Sequence, residues 1–131
     1  GWTNAQYVMQ GVCFEAAEQL LDTVYTIRSS AELERFYSQI DLREYCQQPI
    51  KRETYPFSEG DVLVGIWNAA AGCTADHAVQ AVERDPANRR IAIQLRLVAV
   101  GDCPYELIRP FWVVIHNADG YTAEISVSKP E

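Results

Sequence analysis

The sequence contains few of the residues that metal and cofactor sites need. It has only two histidines, and no two of its four cysteines form a Cys-x-x-Cys pair. Structural zinc sites depend on such closely spaced ligands. No Gly-rich loop precedes a helix pattern, and neither a Gly-x-Ser-x-Gly elbow nor an Asp-x-Asp-x-Asp run is present. We therefore expect no cofactor and no metal, and we assign a turn-capping role to five aspartates, Asp61, Asp76, Asp85, Asp102 and Asp119.

Positive charge and long apolar runs are also scarce. Eleven Lys and Arg residues stand against 18 Asp and Glu residues, so the net charge is −7. Such a chain is poorly suited to bind nucleic acid or an anionic membrane surface. No apolar run approaches the roughly 18 residues of a membrane-spanning helix. The start at Gly1-Trp2, without Met or a signal-peptide pattern, indicates a trimmed or mature form and leaves a lipid anchor in the precursor open.

The cysteines indicate the compartment. An even number of widely spaced cysteines is typical of disulfides in exported proteins, and the alternative is four buried thiols in a cytosolic domain. Three pairings are possible, and we favour Cys13–Cys46 and Cys73–Cys103 because the topology should bring those segments together. Each bridge would close a loop of roughly 30 residues and contribute on the order of 2–4 kcal/mol. We expect an extracytoplasmic protein, in the periplasm, on the cell surface or secreted.

One amphipathic helix is predicted to begin after Ser29. Ser29 and Glu32 have the spacing of a capping box. The apolar stripe that follows consists of Leu33, Phe36, Tyr37 and Ile40, and the helix should end near Asp41. A stripe of this kind has to cover one face of a sheet.

The remaining pattern predicts strands in a single domain of residues 1–131. Residues 1–6 are expected as a loosely ordered lead, 7–16 as a strand, with a short helix over 14–21 as the alternative, and 23–28 as a strand. Residues 42–60 form a polar connection tied down by Cys46, 61–67 a central strand, and 68–72 a loop. Strands are predicted at 76–84, 91–100, 110–116 and 121–127, with a cysteine turn at 101–104 and hairpin turns at 85–90 and 117–120. The predicted fold is α+β, with a predominantly antiparallel meander shaped as a half-barrel or sandwich.

This order of elements resembles the PrcB-like domains of exported bacterial proteins over residues 23–127. The matching segments are 27–33 (IRSSAEL), 57–67, 71–72 before the next strand, and 110–114 (PFWVV). The family's usual Gly-Gly-Tyr is replaced by Gly72-Cys73-Thr74. The resemblance implies an exported envelope or lipoprotein module, in some cases associated with a secreted protease complex, and it implies no catalytic residues.

Candidate chemistry is sparse. His77 and His116, with Asp76, Asp102 and Glu106, could form an acid–base or metal cluster, although isolated polar residues at strand ends explain them better. Cys73 beside His77 could serve as a nucleophile, but a disulfide to Cys103 would consume that thiol.

Aromatic residues offer the other possible surface. Of Trp67, Tyr105, Trp112 and Tyr121, we predict that Tyr105 or Trp112 is exposed and contacts a partner. We therefore expect a non-enzymatic binding or accessory module that acts through protein–protein contacts, with an exported protease or envelope component as partner. The alternatives are a small hydrolase or metal-dependent enzyme using His77 and His116, and an inhibitor of exported proteases that uses the loop around Cys73 or Cys103.

Overall fold

The computed structural model describes residues 1–41 and 52–129. Its strands are β1 (Trp2–Asn4), β2 (Tyr25–Ile27), β3 (Val62–Ala71), β4 (Thr74–Asp85), β5 (Arg90–Val100), β6 (Glu106–Ile115) and β7 (Thr122–Ser128). Its helices are a short 3-10 helix (Gln6–Met9), α1 (Phe14–Glu18) and α2 (Ser30–Asp41). The chain is α+β, as the sequence predicts.

The strands form two sheets. The first sheet has the order β1-β6-β3-β2 and is antiparallel throughout. The second sheet has the order β4-β5-β7, in which β4 and β5 are antiparallel and β5 and β7 are parallel. The sandwich alternative is therefore confirmed in outline, with one parallel pair.

Helix α2 covers the outer face of the first sheet. The Glu32 N–H donates to Ser29 Oγ at 3.2 Å, and Glu32 Oε2 accepts from the Arg28 N–H at 3.2 Å. Leu33, Phe36 and Ile40 of the predicted stripe are buried and Tyr37 is half-buried. The ring of Phe36 stacks on Trp67 with a centroid distance of 6.2 Å. The Ser29 cap and the covering role of the helix are confirmed, and the carboxylate of the predicted capping box binds the N–H of Arg28 in place of that of Ser29.

Alternating apolar residues build the core between the sheets. On β5 the predicted inward set is buried: Ile91, Ile93, Leu95 and Leu97. The first sheet contributes a facing set of Val62, Val64, Ile66, Phe111, Val113 and Ile115. Because side chains in a strand alternate between faces, the opposite face of β6 can pack towards the helices.

The predicted hairpin at 85–90 forms between β4 and β5, but the rest of the meander is wrong in its pairing. β3 pairs with β6, and the turn at 117–120 does not close a hairpin, because β7 pairs with β5 in the other sheet. The reason is that β1 and β3 already occupy both edges of β6. β7 therefore has no free edge beside β6 and crosses to the second sheet.

Three local predictions also need correction. Residues 2–4 are not a loose lead, since they pair with β6 and the Ala5 N–H donates to the Trp112 carbonyl at 2.9 Å. The strand alternative for 7–16 is wrong, because a 3-10 helix and α1 occupy most of this segment. β3 continues through Ala71, where a loop was expected, because its residues stay in register with β6.

One of the two expected disulfides is present in the described residues. Cys73 and Cys103 are bonded, with Cα atoms 4.8 Å apart. Residues 42–51, and Cys46 with them, lie outside the described residues, so the Cys13–Cys46 bridge stays a prediction. Within 1–41 and 52–129, no helix has the length and apolarity needed to cross a membrane.

Candidate functional site: a cleft at the edge of the second sheet

The two sheets have different numbers of strands, and the mismatch leaves a gap. The first sheet has four strands and the second has three. β4 packs against β6, whereas β5 and β7 pack against β3. β1 lies beyond β6, so no strand of the second sheet stands opposite it. A cleft of about 350 Å³ occupies this position.

The cleft is lined by both sheets. Its walls are formed by Trp2, Asn4, Gln6, Asp76, His77, Val79, Arg109, Pro110 and Phe111. Trp2 pairs with Ile115 and Asn4 with Val113, and paired residues in a sheet point to the same side. Ile115 and Val113 belong to the core between the sheets. Trp2 is 41% exposed, and on its other side it borders a smaller gap lined by Val82 and Arg84 of β4.

Gln6 holds the β1 wall in place. Its Nε2 donates to the Pro110 carbonyl at 2.6 Å, and its Oε1 accepts from the Trp112 N–H at 2.6 Å. Asn4 Oδ1 in turn accepts from the Gln6 N–H at 2.9 Å. The side chain of Gln6 therefore continues the hydrogen bonding of β1 along β6 after the strand itself has ended.

A chain of polar side chains runs inward from the β4 wall. His77 Nε2 lies 2.8 Å from Asn68 Oδ1, and Asn68 Nδ2 donates to Asp22 Oδ1 at 2.8 Å. Asn68 is 2% exposed, and Lys129 Nζ pairs with the same Asp22 oxygen at 3.4 Å. An amide oxygen can only accept, so this geometry assigns the imidazole proton to Nε2.

His77 is uncharged at neutral pH. Burial lowers the pKa of its imidazole to about 4, and the nearby carboxylate of Asp76 only partly opposes that shift. The Nδ1 atom then carries the lone pair. The ring also packs on Phe111, with a centroid distance of 5.7 Å. His77 therefore contributes a neutral, fixed imidazole to the wall.

Arg109 supplies the positive charge of the cleft. Its Nε donates to the Ala75 carbonyl at 3.1 Å and its Nη1 to the Ile108 carbonyl at 3.4 Å. Among the described residues, no carboxylate lies within 4.0 Å of its guanidinium nitrogens. A half-buried guanidinium bonded only to carbonyls keeps donors for a further anion.

The predicted histidine cluster does not form. His116 Nδ1 lies 2.9 Å from Asp61 Oδ1, at the other end of β3 from Asn68 and His77. The residues Asp61 and Asn68 are separated by about 23 Å of extended chain. The two imidazoles thus lie in different environments, and among the described residues no group of His, Cys, Asp or Glu is arranged to hold a metal.

Asp61 belongs to a separate, structural network. It is 6% exposed, and its Oδ2 accepts from the Tyr55 hydroxyl at 2.6 Å and from the Ser58 N–H at 3.0 Å. Burial alone would raise the pKa of Asp61, but these bonds and His116 hold it below the ordinary value. The predicted capping role of Asp61 is consistent with this contact to Ser58.

The aromatic residues singled out in the sequence differ in their exposure. Tyr105 is 57% exposed, on the segment that follows the disulfide, and lies outside the cleft lining. Trp112 is fully buried, so its predicted exposure is wrong. The cause is its place on β6, where it points towards α2 and packs over Gly65. Trp67 is also buried, and Tyr121 is half-buried beneath Arg84.

Sequence reasoning missed most residues of the site, including Trp2, Gln6, Asn68 and Arg109. Asn68 interrupts an apolar strand at an inward position, which is a signal that a polar group is buried for a reason. Arg109 precedes Pro110 in a strand and offers a weaker signal. Nothing in the sequence singled out Trp2, because the vacant position opposite it depends on the whole sheet arrangement.

No family model, curated protein or solved structure matches this chain. The resemblance to PrcB-like domains therefore stays a prediction.

Proposed function

We propose that this protein is an extracytoplasmic, non-enzymatic binding module that accepts an extended segment of a partner protein at the free edge of β4. One observation carries the proposal: the second sheet lacks a strand opposite β1, and a cleft lies at that position. A strand added beside the first half of β4 would fill the cleft, whose far wall is formed by Asn4, Gln6 and one side of Trp2. Strand addition of this kind is a common mode of peptide recognition.

The backbone of β4 is oriented for this role. The Ala75 carbonyl accepts from Arg109, so it points away from β5. Because orientation repeats every second residue, the N–H groups of His77 and Val79 point the same way. In the described part of the chain, β4 pairs with β5 alone. These groups are available to an incoming strand.

The second half of β4 is protected. The register shifts between Val79 and Ala81, and the charged residues Glu83, Arg84 and Asp85 follow. Bulges and charges are the usual devices that keep an edge strand from pairing. Docking is therefore restricted to the stretch between Thr74 and Val79.

The disulfide favours both the compartment and the rigidity of this edge. Cys73 immediately precedes β4, and its N–H donates to the Val100 carbonyl at 2.8 Å. Disulfides persist mainly outside the cytoplasm. The bridge holds the end of the β4–β5 hairpin at the point where the partner would bind, which lowers the cost of ordering on association.

A second copy of this chain is a poorer occupant than a different protein. Two copies would each bring a net charge of −7. Pairing β4 with β4 would also place acidic residues of the same strand close together, among them Asp76 and Glu83. Like charges in facing strands are destabilising.

Panning of a displayed random heptapeptide library against the purified protein tests the proposal. Val79→Pro removes an outward N–H at a position where an edge strand tolerates proline. We expect enriched peptides with alternating apolar residues, and at least about tenfold weaker binding to the Val79→Pro variant, because a ladder hydrogen bond is lost and the ring obstructs pairing. Val98→Thr, an equally exposed valine on β5, is the matched control and should bind as the wild type does.

Either of two results would refute strand addition. One is that no peptide is enriched on the wild-type protein. The other is that the enriched peptides bind the wild type and the folded Val79→Pro variant equally well.

The exposure of Tyr105 favours a second candidate function, inhibition of exported proteases. Tyr105 follows a loop braced by the Cys73–Cys103 bridge, and it is one of the most exposed large apolar side chains in the described structure. In that case Tyr105→Ala would abolish inhibition of a panel of exported proteases. A wild-type protein that inhibits none of them would exclude this function.

A further inference from the structure

The cleft has a positive charge that the molecule itself does not neutralise. Arg109 projects from β6 into the space between the sheets, on the same side as Phe111. Its hydrogen bonds go to the carbonyls of Ala75 and Ile108. The chain has seven more acidic than basic residues, 18 against 11, so carboxylates are abundant elsewhere. None of those in the described residues pairs with Arg109.

The other polar groups of the cleft do not substitute for an anion. His77 is neutral and its Nε2 is committed to Asn68, while both ends of the Gln6 amide are committed to β6. Asp76 lines the cleft as well, but its side chain is exposed and forms no ion pair with Arg109. The remaining wall is mainly apolar, with Trp2, Val79, Pro110 and Phe111, and its one other polar residue is Asn4, whose Oδ1 accepts from the Gln6 N–H.

We propose that the bound segment carries an Asp or Glu side chain that points into the cleft and accepts hydrogen bonds from the Arg109 guanidinium. This inference rests on the proposed function, because strand addition supplies the alternation that aims one side chain inward. A residue of the added strand near Ala75 and His77 would face Arg109 directly. Its neighbours two residues away would meet the apolar wall formed by Val79 and Trp2.

The expected recognition pattern is therefore an acidic residue followed or preceded at alternate positions by apolar residues. The guanidinium fork is suited to a carboxylate, because two parallel N–H donors match its two oxygens. An added strand would remove water from the half-buried guanidinium, and lower exposure to water strengthens an ion pair.

The test uses the peptide with the highest affinity from the library and a matched peptide in which its acidic residue is replaced by Gln or Asn. Affinity is measured by fluorescence anisotropy. For the wild type we expect the acidic peptide to bind about tenfold more tightly, as one charge-assisted hydrogen-bonded pair would give. Arg109→Gln should weaken binding of the acidic peptide about tenfold and leave the affinity for the amide peptide nearly unchanged.

Three further variants separate a specific contact from a general charge effect. Arg84→Gln removes the same charge from the protected half of β4 and should change binding by less than about twofold, since exposed charges are screened. Asp76→Asn should increase the affinity for the acidic peptide about twofold, because a nearby negative charge is removed. Arg109→Lys retains the positive charge but loses the two parallel N–H donors of the guanidinium. Its affinity for the acidic peptide should lie between those of the wild type and Arg109→Gln.

The outcomes distinguish this inference from the proposed function. If the enriched peptides have no acidic position but still bind the Val79→Pro variant more weakly, the proposed carboxylate contact is refuted. Strand addition would remain supported. If Arg84→Gln and Arg109→Gln weaken binding of the acidic peptide equally, the proposed contact with Arg109 is also refuted. If no peptide is enriched at all, both proposals fail. Thermal melting confirms that each variant is folded before its affinity is interpreted.

Discussion

Gly65 makes room for the largest side chain in the core. It pairs directly with Trp112, and a Cβ atom at position 65 would lie 2.0 Å from the indole ring. Trp112 is fully buried and meets Trp67 at a centroid distance of 5.4 Å. A single missing methyl group thus sets the position of an aromatic cluster.

We expect Gly65→Ala to destabilise the protein severely, by about 3 kcal/mol, because the ring of Trp112 cannot shift in a packed core without displacing its neighbours. Urea denaturation followed by circular dichroism measures the loss. Gly1→Ala, where a Cβ atom would meet nothing within 4 Å, is the control. A change below about 0.5 kcal/mol for Gly65→Ala would contradict the packing described.

His77 makes the stability of the fold depend on pH. An imidazole in the unfolded chain binds a proton below about pH 6.5. In the folded protein, burial lowers the pKa of His77 to about 4. The unfolded state therefore binds more protons between these two values, and the free energy of unfolding decreases as the pH falls from about 6.5 to about 4.

His77→Gln should remove that part of the pH dependence, because Gln can still donate to Asn68 but does not titrate in this range. Urea denaturation at pH 7, 6, 5 and 4 measures the slope for each protein. NMR of the imidazole gives the pKa directly. A midpoint near 6.5 in the folded protein would contradict the burial assigned to His77.

At the scale of elements, the start of α2 depends on one hydroxyl group. Ser29 Oγ accepts from the Glu32 N–H, and the Glu32 carboxylate accepts from the Arg28 N–H. The first bond satisfies a backbone donor that the helix itself leaves open, and the second ties the helix to the residue that precedes its cap. The helix then positions Leu33 and Phe36 over the first sheet.

Ser29→Ala should lower the free energy of unfolding by about 1 kcal/mol, the usual cost of losing an N-cap. Glu34→Ala is the control, since Glu34 lies on the exposed side of the same turn and should change stability by less than about 0.5 kcal/mol. Chemical denaturation of both variants gives the comparison. Equal effects would mean that the cap is not what anchors the helix.

Elements with a strong local pattern were predictable, as was the β4–β5 hairpin, but the other strand pairings were not. The alternation from Ile91 to Leu97 and the capping box at Ser29 each determine a local structure that the fold retains. The turn at 117–120 has positive φ at Asn117 and Gly120, which suits a hairpin. Whether a hairpin forms depends on which edges of β6 are free, and β1, more than one hundred residues earlier, decides that.

The site was less predictable than the fold for the same reason. Asn68, His77 and Arg109 come from β3, β4 and β6 and meet only because the two sheets pack with their ends aligned. A cleft produced by unequal numbers of strands has no local sequence pattern. Exposure of Tyr105 was foreseen, because a turn beside a disulfide offers little to bury it.

For the whole molecule, the Cys73–Cys103 bridge holds a long hairpin closed. Replacing both cysteines by Ala should lower the free energy of unfolding by about 3 kcal/mol, because the bond closes a loop of 30 residues in the unfolded chain. Thermal melting under non-reducing conditions measures the loss. If the double variant melts like the wild type, the bridge contributes nothing to stability.

Dithiothreitol provides the companion measurement. If Cys13 and Cys46 are also bonded, the reductant should destabilise the double variant further, and non-reducing mass spectrometry should find the two peptides linked. The wild type treated in the same way is the reference. Two free thiols in the denatured double variant would rule out the second bridge.

The parallel pair β5–β7 has a consequence for how the chain reaches its native state. The two strands are neighbours in the second sheet, but the chain crosses to the first sheet between them and forms β6 there. Few contacts along this path are local in sequence, and topologies of that kind nucleate slowly, in milliseconds to seconds. During synthesis, the edge of β5 keeps its backbone N–H and C=O groups unpaired until residues 122–128 have left the ribosome, and an unpaired edge is where a nascent chain can associate wrongly.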